Sequence, residues 1–490
     1  MAILVVVILY FIVLGVALRS LKSGLYLVIF LAPWMGLDID IGLRITAYRI
    51  ALTSLFLALI LKSCGRSQSL NKNIDPNPWF WMFVCYALVW SVAQMFWLPL
   101  DAKHVDELRT GQFRSIAQIS MFILSISPLI IIPRTIASIN EIIRCGKIYI
   151  WSISILAALG WVQLIVWYGA GLNLFPIGLI DAILKGSSGN IYEGYDVIAG
   201  VKVYRMNSFG GEPKGLAVGL AIGLLILQSV RSYKTIDSKN NFKIYSIWIF
   251  LFFSLLLTWS TSGIFLWGIG TIVLTLMGIV GWQKRSKSSG VIVNILLIIV
   301  VIGTMFHVAL GEKELFGIFS SMVENRFIGR NPIEDWDQVV INYLEKEPAS
   351  IAMGVGLGNI HLYASDYIPR SFLHMSNDMI FVAKSGYLRI LSELGVVGLF
   401  LFSLAFIWWP LKIYNLSNCM GRNNYGLFGL HLLSIGLAVF IGGMSRTYVW
   451  PQMFVMMGLL AAYYELLRKR KIFVKIPTTT NNNFVLKKSY

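Results

Sequence analysis

The feature that constrains the fold most is a succession of apolar runs, each about long enough to cross a bilayer. A transmembrane helix needs about 20 mostly apolar residues. The 490-residue chain is 57% hydrophobic and only 13% charged, too apolar for a soluble globule. We therefore predict an all-α polytopic membrane protein with about 12–13 transmembrane helices, forming one membrane-embedded domain over residues 1–490. The predicted spans are 2–18, 24–37, 45–61, 79–98, 113–132, 148–168, 214–230, 244–260, 262–281, 291–310, 386–410, 427–443 and 448–467.

Basic residues occur in every second loop between these runs, which predicts the orientation of the chain. Lysine and arginine accumulate in cytoplasmic loops. The net charge of +17 is therefore explained without a nucleic-acid partner, and we expect none. The basic loops carry Arg19/Lys22, Lys62/Arg66/Lys72, Arg134/Arg144/Lys147, Arg231/Lys234/Lys239/Lys243, Lys284/Arg285/Lys287, Lys412/Arg422 and Arg468/Lys469/Arg470/Lys471.

Two large loops, 169–213 and 311–385, then lie on the opposite, outer face. The N-terminus is expected outside and the C-terminus in the cytoplasm. The polar tail at 472–490 is predicted to be disordered. Because secondary transporters have short loops on both faces and a site at the midplane, this asymmetry instead favours an external chamber on a helical base.

The first large loop ends in a charged segment at the mouth of the next span. Arg205, Glu212 and Lys214 crowd this mouth, and Pro213 suits the first turn of a helix. Glu212 would then lie at the positive helix end. Two interpretations stay open: a substrate site, or a plain helix cap in Glu212 with Arg205 as an interfacial anchor.

The second large loop carries two arginines four residues apart, Arg326 and Arg330. Arginine forks bind phosphate bidentately, so the pair suits a diphosphate. Alternatively, Arg330 pairs with Glu334 as an ordinary helix salt bridge. The acidic residues Glu334, Asp335 and Asp337 would face solvent or sugar hydroxyls. Their spacing matches no calcium loop, and we expect no metal.

The same loop contains the run GVGLGN at 354–359, which lacks the lysine of a phosphate-binding loop. We interpret it as a flexible turn that leads to His361. His361 is expected to be an exposed structural residue. His374 is either a general base near neutral pH or a second structural histidine.

Charged residues continue into the span that starts at residue 386. Arg389 and Glu393 are four positions apart on one helix face, and Lys384 precedes them. Charges at that depth are costly and usually face a cavity. Arg49 and Arg446 also fall near outer helix ends, so several arginines converge as an anionic lipid head group would require.

Two segments together resemble the bacterial O-antigen polymerase and O-antigen ligase superfamily. The segment RMNSFGGEPKGLA at 205–217 is similar to the arginine loop before a mid-chain span of that family. The run GVGLGN, followed later by SGYLRILSELGVVGLFLF, resembles its second large loop and the following helix. The resemblance implies a GT-C-like, metal-independent glycosyltransferase without cofactor in the bacterial inner membrane, with both large loops periplasmic. Expected partners are undecaprenyl-diphosphate-linked glycans, membrane lipid and a chain-length regulator protein.

At one motif this chain differs from the ligases of that family, and the difference helps to distinguish ligase from polymerase. Ligases carry a histidine, then Asn, Ser or Gln, nine residues before a G-x-x-G motif. Aligned on Gly395 and Gly398, this chain has Lys384 and Ser385 in those positions. The resemblance is therefore closer to a Wzy-type repeat-unit polymerase, and the ligase that transfers polysaccharide to lipid A core stays the alternative.

The resemblance also implies a mechanism. The hydroxyl of an incoming lipid-linked repeat unit attacks the anomeric carbon of the growing donor, and undecaprenyl diphosphate leaves. Arg205, Arg326 and Arg330, with Lys384 and Arg389, would bind the diphosphate. Glu212 or His374 would accept the proton.

Two alternatives belong to other classes. A transporter or flippase of lipid-linked sugars would need charged residues along a path through the membrane, whereas the charges here gather near outer helix ends. A non-catalytic assembly or sensor protein has no positive feature in this sequence.

Overall fold

The computed structural model describes the larger part of the chain. The described residues are 2–40, 44–64, 77–97, 111–172, 180, 195–198, 201–233, 238–277, 335–364, 367, 383–420, 424–443 and 450–474. The predicted residues Arg326, Arg330, Glu334, His374 and Arg446, the span at 291–310 and the tail from 475 lie outside these ranges.

The described residues form a helical bundle with two short antiparallel hairpins. The helices are α1 Ala2–Arg19, α2 Leu21–Leu31, α3 Ala47–Cys64, α4 Pro78–Gln94, α5 Gly111–Thr135, α6 Ile139–Ala170, α7 Pro213–Tyr233, α8 Ser238–Leu257, α9 Thr261–Met277, α10 Asp335–Lys346, α11 Ala349–Met353, α12 Ile360–Tyr363, α13 Gly386–Met420, α14 Asn424–Ala438 and α15 Trp450–Val474. The strands are β1 Asp38–Asp40 paired with β2 Arg44–Thr46, and β3 Tyr195–Ile198 paired with β4 Val201–Tyr204.

The all-α membrane architecture is confirmed. Every predicted apolar run within the described ranges overlaps a helix, although the run 24–37 continues six residues beyond the end of α2. Within those ranges, 4 helices are long and apolar enough to cross a membrane: Ser115–Thr135, Ile139–Ala170, Pro213–Val230 and Gly386–Ser417. Shorter apolar helices include Val6–Arg19, Leu21–Leu31, Phe242–Leu257, Thr261–Leu274 and Phe428–Gly442. A count of 12–13 spans stays a prediction.

One end of the bundle brings together two of the predicted basic loops, those with Lys22 and with Arg144. Lys22 at the start of α2 pairs with Glu141 at the start of α6, with Nζ and Oε1 2.6 Å apart. Beside them, the Arg144 guanidinium lies over the Tyr26 ring at 5.0 Å. Glu141 also accepts the Ala137 backbone N–H at 2.7 Å, which caps α6. Loops assigned to one face from charge alone are therefore neighbours in space.

At the opposite end, helix α13 breaks at Gly395. This glycine has φ 69° and ψ −173°, which no α-helix allows. A helix break leaves backbone carbonyls of the preceding turn without intrahelical partners. Here the Ser392 carbonyl accepts Val355 N at 3.1 Å, and the Glu393 carbonyl accepts Gly356 N at 2.7 Å. The break is thus closed by backbone groups from another part of the chain.

The segment that closes the break is 353–359, which contains GVGLGN. It lies between α4, α5 and α13, and residues 354–359 are all buried. The Trp90 indole N–H donates to the Gly354 carbonyl at 3.1 Å, and Leu357 N donates to the Ser91 hydroxyl at 3.0 Å. The expectation of a flexible turn was wrong, because every second residue is a glycine that lets the backbone approach its neighbours closely.

We predict that Gly395→Ala destabilises the fold by at least about 2 kcal/mol, since the left-handed region costs about 1–2 kcal/mol for an L-residue. A Cβ at Gly395 would also overlap the Ala352 carbonyl oxygen. Thermal unfolding of the purified protein in detergent measures the change. Gly268→Ala in α9 is the control, because a Cβ there meets nothing within 4 Å. Equal melting temperatures for the two variants would contradict the prediction.

Candidate functional site

The first-loop segment, defined here as residues 205–212, is anchored by Arg205. Only 7% of this residue is exposed. Its Nε donates to the Thr258 carbonyl at 3.3 Å, and its Nη2 donates to the Trp259 carbonyl at 3.4 Å. Both carbonyls follow the last turn of α8, where helix carbonyls need outside donors. The predicted contact with a diphosphate stays a prediction, and the structure adds a role in holding the loop.

The rest of the first-loop segment inserts among helices. Met206 packs so closely on α6 that a Cβ at Gly160 would overlap its side chain. Ser208 N donates to Oε1 of Gln163 at 2.9 Å. The Phe209 ring stacks on Trp34 with centroids 5.8 Å apart. These contacts fix the loop from three sides.

Two non-glycine residues near Arg205 have left-handed backbones. Ser208 and Trp259 both have φ of 50°. Such conformations persist only where the surroundings impose them, and they concentrate at functional sites. The carbonyl of Trp259 is also an acceptor for Arg205. The strained backbone at Trp259 therefore lies where Arg205 holds the loop.

Glu212 ends this segment with an exposed side chain. Its carbonyl accepts Gly215 N at 2.9 Å and so begins α7. The carboxylate therefore lies at the positive end of the most deeply buried of the four spans. A charged, solvent-facing group on a rigid base is suited to receive a proton from a bound ligand.

The second large loop contributes a small core of its own on top of α13. Helix α10 places Val339, Val340, Tyr343 and Leu344 against Ile360 and other buried residues of 355–383. The amphipathic pattern of DWDQVVINYLEK explains this, because apolar residues recur on one helix face. The described part of this loop is therefore folded onto the bundle at this end.

Asp337 connects that core to the start of α13. Its Oδ1 accepts Lys384 N at 2.7 Å and Ser385 N at 3.1 Å. A carboxylate there pairs donors at a helix N-terminus and favours its dipole. Asp337 is buried, so the expectation that it faces solvent or sugar hydroxyls was wrong.

Arg389 and Glu393 form a buried ion pair one turn below, with Nε and Oε1 3.0 Å apart. Their exposed fractions are 9% and 1%. At 1.5 Å per residue, Glu393 lies about 10 Å along α13 from its first residue, Gly386. The pair is therefore close to the start of α13, ahead of the break at Gly395.

The predicted site residues thus fall into two described groups. Arg205 and Glu212 lie on the first-loop segment, whereas Lys384 and Arg389 lie at the start of α13. His361 is half-buried on the short helix α12 rather than exposed. Gln163 was not predicted; a glutamine within the apolar run 148–168 was the available signal. Within the described ranges, no three His, Cys, Asp or Glu side chains gather to hold a metal ion.

No family model and no curated protein matches this chain. A solved structure described as "Structural coordination of polymerization and crosslinking by a peptidoglycan synthase complex" contains a chain that is similar to it in outline. That likeness has 13% identity over 81% of this chain and 99% of the other, with a TM-score of 0.38. At that TM-score the likeness shows neither a shared fold nor a shared function.

We predict that Glu393→Gln destabilises the protein by about 3 kcal/mol, because it removes the carboxylate that compensates the charge of the buried Arg389 guanidinium. Replacing both residues, as Arg389→Met with Glu393→Leu, should recover most of that loss. Lys22→Met is the comparison, since Lys22 belongs to an ion pair with its side chain 49% exposed and should cost less than about 1 kcal/mol. Unfolding midpoints in detergent give all values. A double variant as unstable as the single one would contradict the assignment of this loss to the Arg389–Glu393 ion pair.

Proposed function

We propose that this protein is a glycosyltransferase that joins undecaprenyl-diphosphate-linked oligosaccharide repeat units into O-antigen or a related surface polysaccharide. In this proposal it acts at the periplasmic face of the bacterial inner membrane. The observation that carries it is the buried Arg389–Glu393 pair beside the helix break at Gly395. Ionisable residues inside a membrane helix are expensive and usually mark a functional site.

The depth of this pair favours chemistry at the membrane surface over transport. A transporter site lies near the bilayer midplane, where broken helices from two repeats meet. Arg389 is only three residues, or about 4.5 Å, from the start of α13. An ion pair at this depth suits a diphosphate that stays at the head-group level while its lipid tail remains in the membrane.

Each group of residues has a role in the proposal. Lys384 and Arg389, with Arg326 and Arg330 outside the described ranges, bind the donor diphosphate and stabilise the charge that develops on it. The acceptor hydroxyl forms a bond to the anomeric carbon as the bond to diphosphate breaks. Glu212 takes the hydroxyl proton, and Arg205 positions the segment that presents Glu212.

Reconstitution tests the proposed function. Purified protein in liposomes is supplied with an undecaprenyl-diphosphate-linked repeat unit, without nucleotide sugar or ATP, and products are separated on a gel. We expect a ladder of longer lipid-linked glycans. Transfer only after lipid A core is added would identify a ligase. Folded protein that is silent under both conditions, yet moves the lipid between leaflets, would identify a flippase.

We predict that Glu212→Gln lowers the rate of chain elongation by about 100-fold, because a general base contributes about 10²–10⁴-fold. The melting temperature should hardly change, since a carboxylate at a helix N-terminus contributes less than about 1 kcal/mol. Initial rates in the same assay measure the effect. Glu345→Gln is the control, because Glu345 is an exposed carboxylate on α10. Wild-type elongation by the Glu212 variant would exclude Glu212 as the base.

A further inference from the structure

Four polar atoms in and next to the first-loop segment have no hydrogen-bond partner among the described residues. They are Nε2 of Gln163, Oδ1 of Asn207 and the hydroxyl oxygens of Ser208 and Ser260. The residues are 0%, 4%, 3% and 2% exposed, respectively. Since nearly all buried polar atoms in native proteins are paired, such a concentration needs an explanation.

Hydrogen bonds place the four atoms on two sides of one loop. The Gln163 side chain accepts Ser208 N at 2.9 Å, so its Nε2 lies beside Ser208. Asn207 is the residue before Ser208. Ser260 N lies 3.3 Å from the Thr258 hydroxyl, and the carbonyl of Thr258 is bound by Arg205. The loop therefore lies between α6, which carries Gln163, and the α8–α9 turn, which carries Ser260, and these four side chains are here called the polar patch.

Aromatic rings flank this polar patch. Trp34 stacks on Phe209 at an interplanar angle of 17°. Trp167 stacks on Tyr204 with centroids 5.1 Å apart. Trp34 also stacks on Phe30 with centroids 5.8 Å apart, and both Trp34 and Trp167 are half-buried.

The backbone of the loop is a second, independent observation. Ser208 has φ of 50° although it is not a glycine, and Gly211 has φ of 86°. Strain of this kind is retained where a segment is held ready for a ligand or a movement. The strained residue Ser208 also carries one of the unpartnered hydroxyls.

We propose that the first-loop segment, with Gln163 and Ser260, is a carbohydrate subsite that binds the sugar part of the lipid-linked substrate. Sugars present neutral hydroxyls that both donate and accept, and the patch offers an amide donor, an amide acceptor and two hydroxyls. The cationic Lys384 and Arg389 lie on a different segment, so the diphosphate and the sugar are bound by different parts of the chain. The inference rests on the proposed function and names where its glycan binds.

Serine-to-alanine variants test this subsite. Ser208→Ala and Ser260→Ala each remove one unpartnered hydroxyl, so both proteins should be at least as thermostable as wild type. We expect each variant to bind the undecaprenyl-diphosphate-linked repeat unit about three- to tenfold more weakly, as the loss of one neutral hydrogen bond requires. Affinity for undecaprenyl diphosphate without sugar should be unchanged. Equilibrium binding in nanodiscs gives both constants.

Ser417→Ala is the matched control, because Ser417 on α13 carries another buried hydroxyl without a partner among the described residues. It should gain or keep stability and bind both lipids normally. The subsite is refuted by unchanged affinity of the Ser208 and Ser260 variants for the glycan lipid, or by equal losses for both lipids. A wild-type protein that binds the glycan lipid but gives no ladder refutes the polymerase and leaves the subsite standing. A wild-type protein that binds neither lipid refutes both.

Discussion

The backbone hydrogen bonds between segment 353–359 and the broken turn of α13 are the interaction on which this end of the molecule depends. In a bilayer, carbonyls freed by a helix break find no water, and each unsatisfied group is costly. Val355 N and Gly356 N satisfy Ser392 and Glu393, while the Tyr86 hydroxyl donates to the Leu394 carbonyl at 3.0 Å. The insertion of segment 353–359 therefore fixes the position of the Glu393 carboxylate along α13 and of the residues that pack next to it.

At the first-loop segment, a side chain rather than the backbone supplies hydrogen-bond donors to carbonyls that need them. Helix α8 ends at Leu257, and the carbonyls of Thr258 and Trp259, which follow it, need donors from another part of the chain. Arg205 supplies two, and its rigid planar fork loses little freedom in doing so. The described segments 205–212 and 353–359 of the two large loops are thus both inserted into the bundle rather than laid over it. A site built from them would be preorganised, which is the condition for stabilising charge in a transition state.

The sequence predicted those parts of the fold that depend on local pattern. The apolar runs formed helices, and α7 begins at Pro213, directly after Glu212, as the local sequence pattern indicated. The insertion of GVGLGN was not predictable, because glycine permits both a flexible turn and close backbone packing, and the facing residues decide between them. The environment of Asp337 was predicted wrongly because it too depends on residues that are remote in sequence. Its hydrogen-bond donors, Lys384 N and Ser385 N, meet it only after folding.

The two candidate groups of site residues are connected through helix α9. It begins at Thr261, directly after Ser260, and a Cβ at Gly442 would lie 3.1 Å from the Leu266 Cα. Gly442 belongs to a π-helical turn, Val439–Gly443, whose Phe440 carbonyl accepts the Tyr387 hydroxyl of α13. Such turns are frequent at functional sites. Tyr387 lies two residues before Arg389. The packing of α9 against the π-helical turn therefore sets the separation between the polar first-loop patch and the cationic start of α13. A ligand that must contact both segments would therefore be selected by its length as well as by its chemistry.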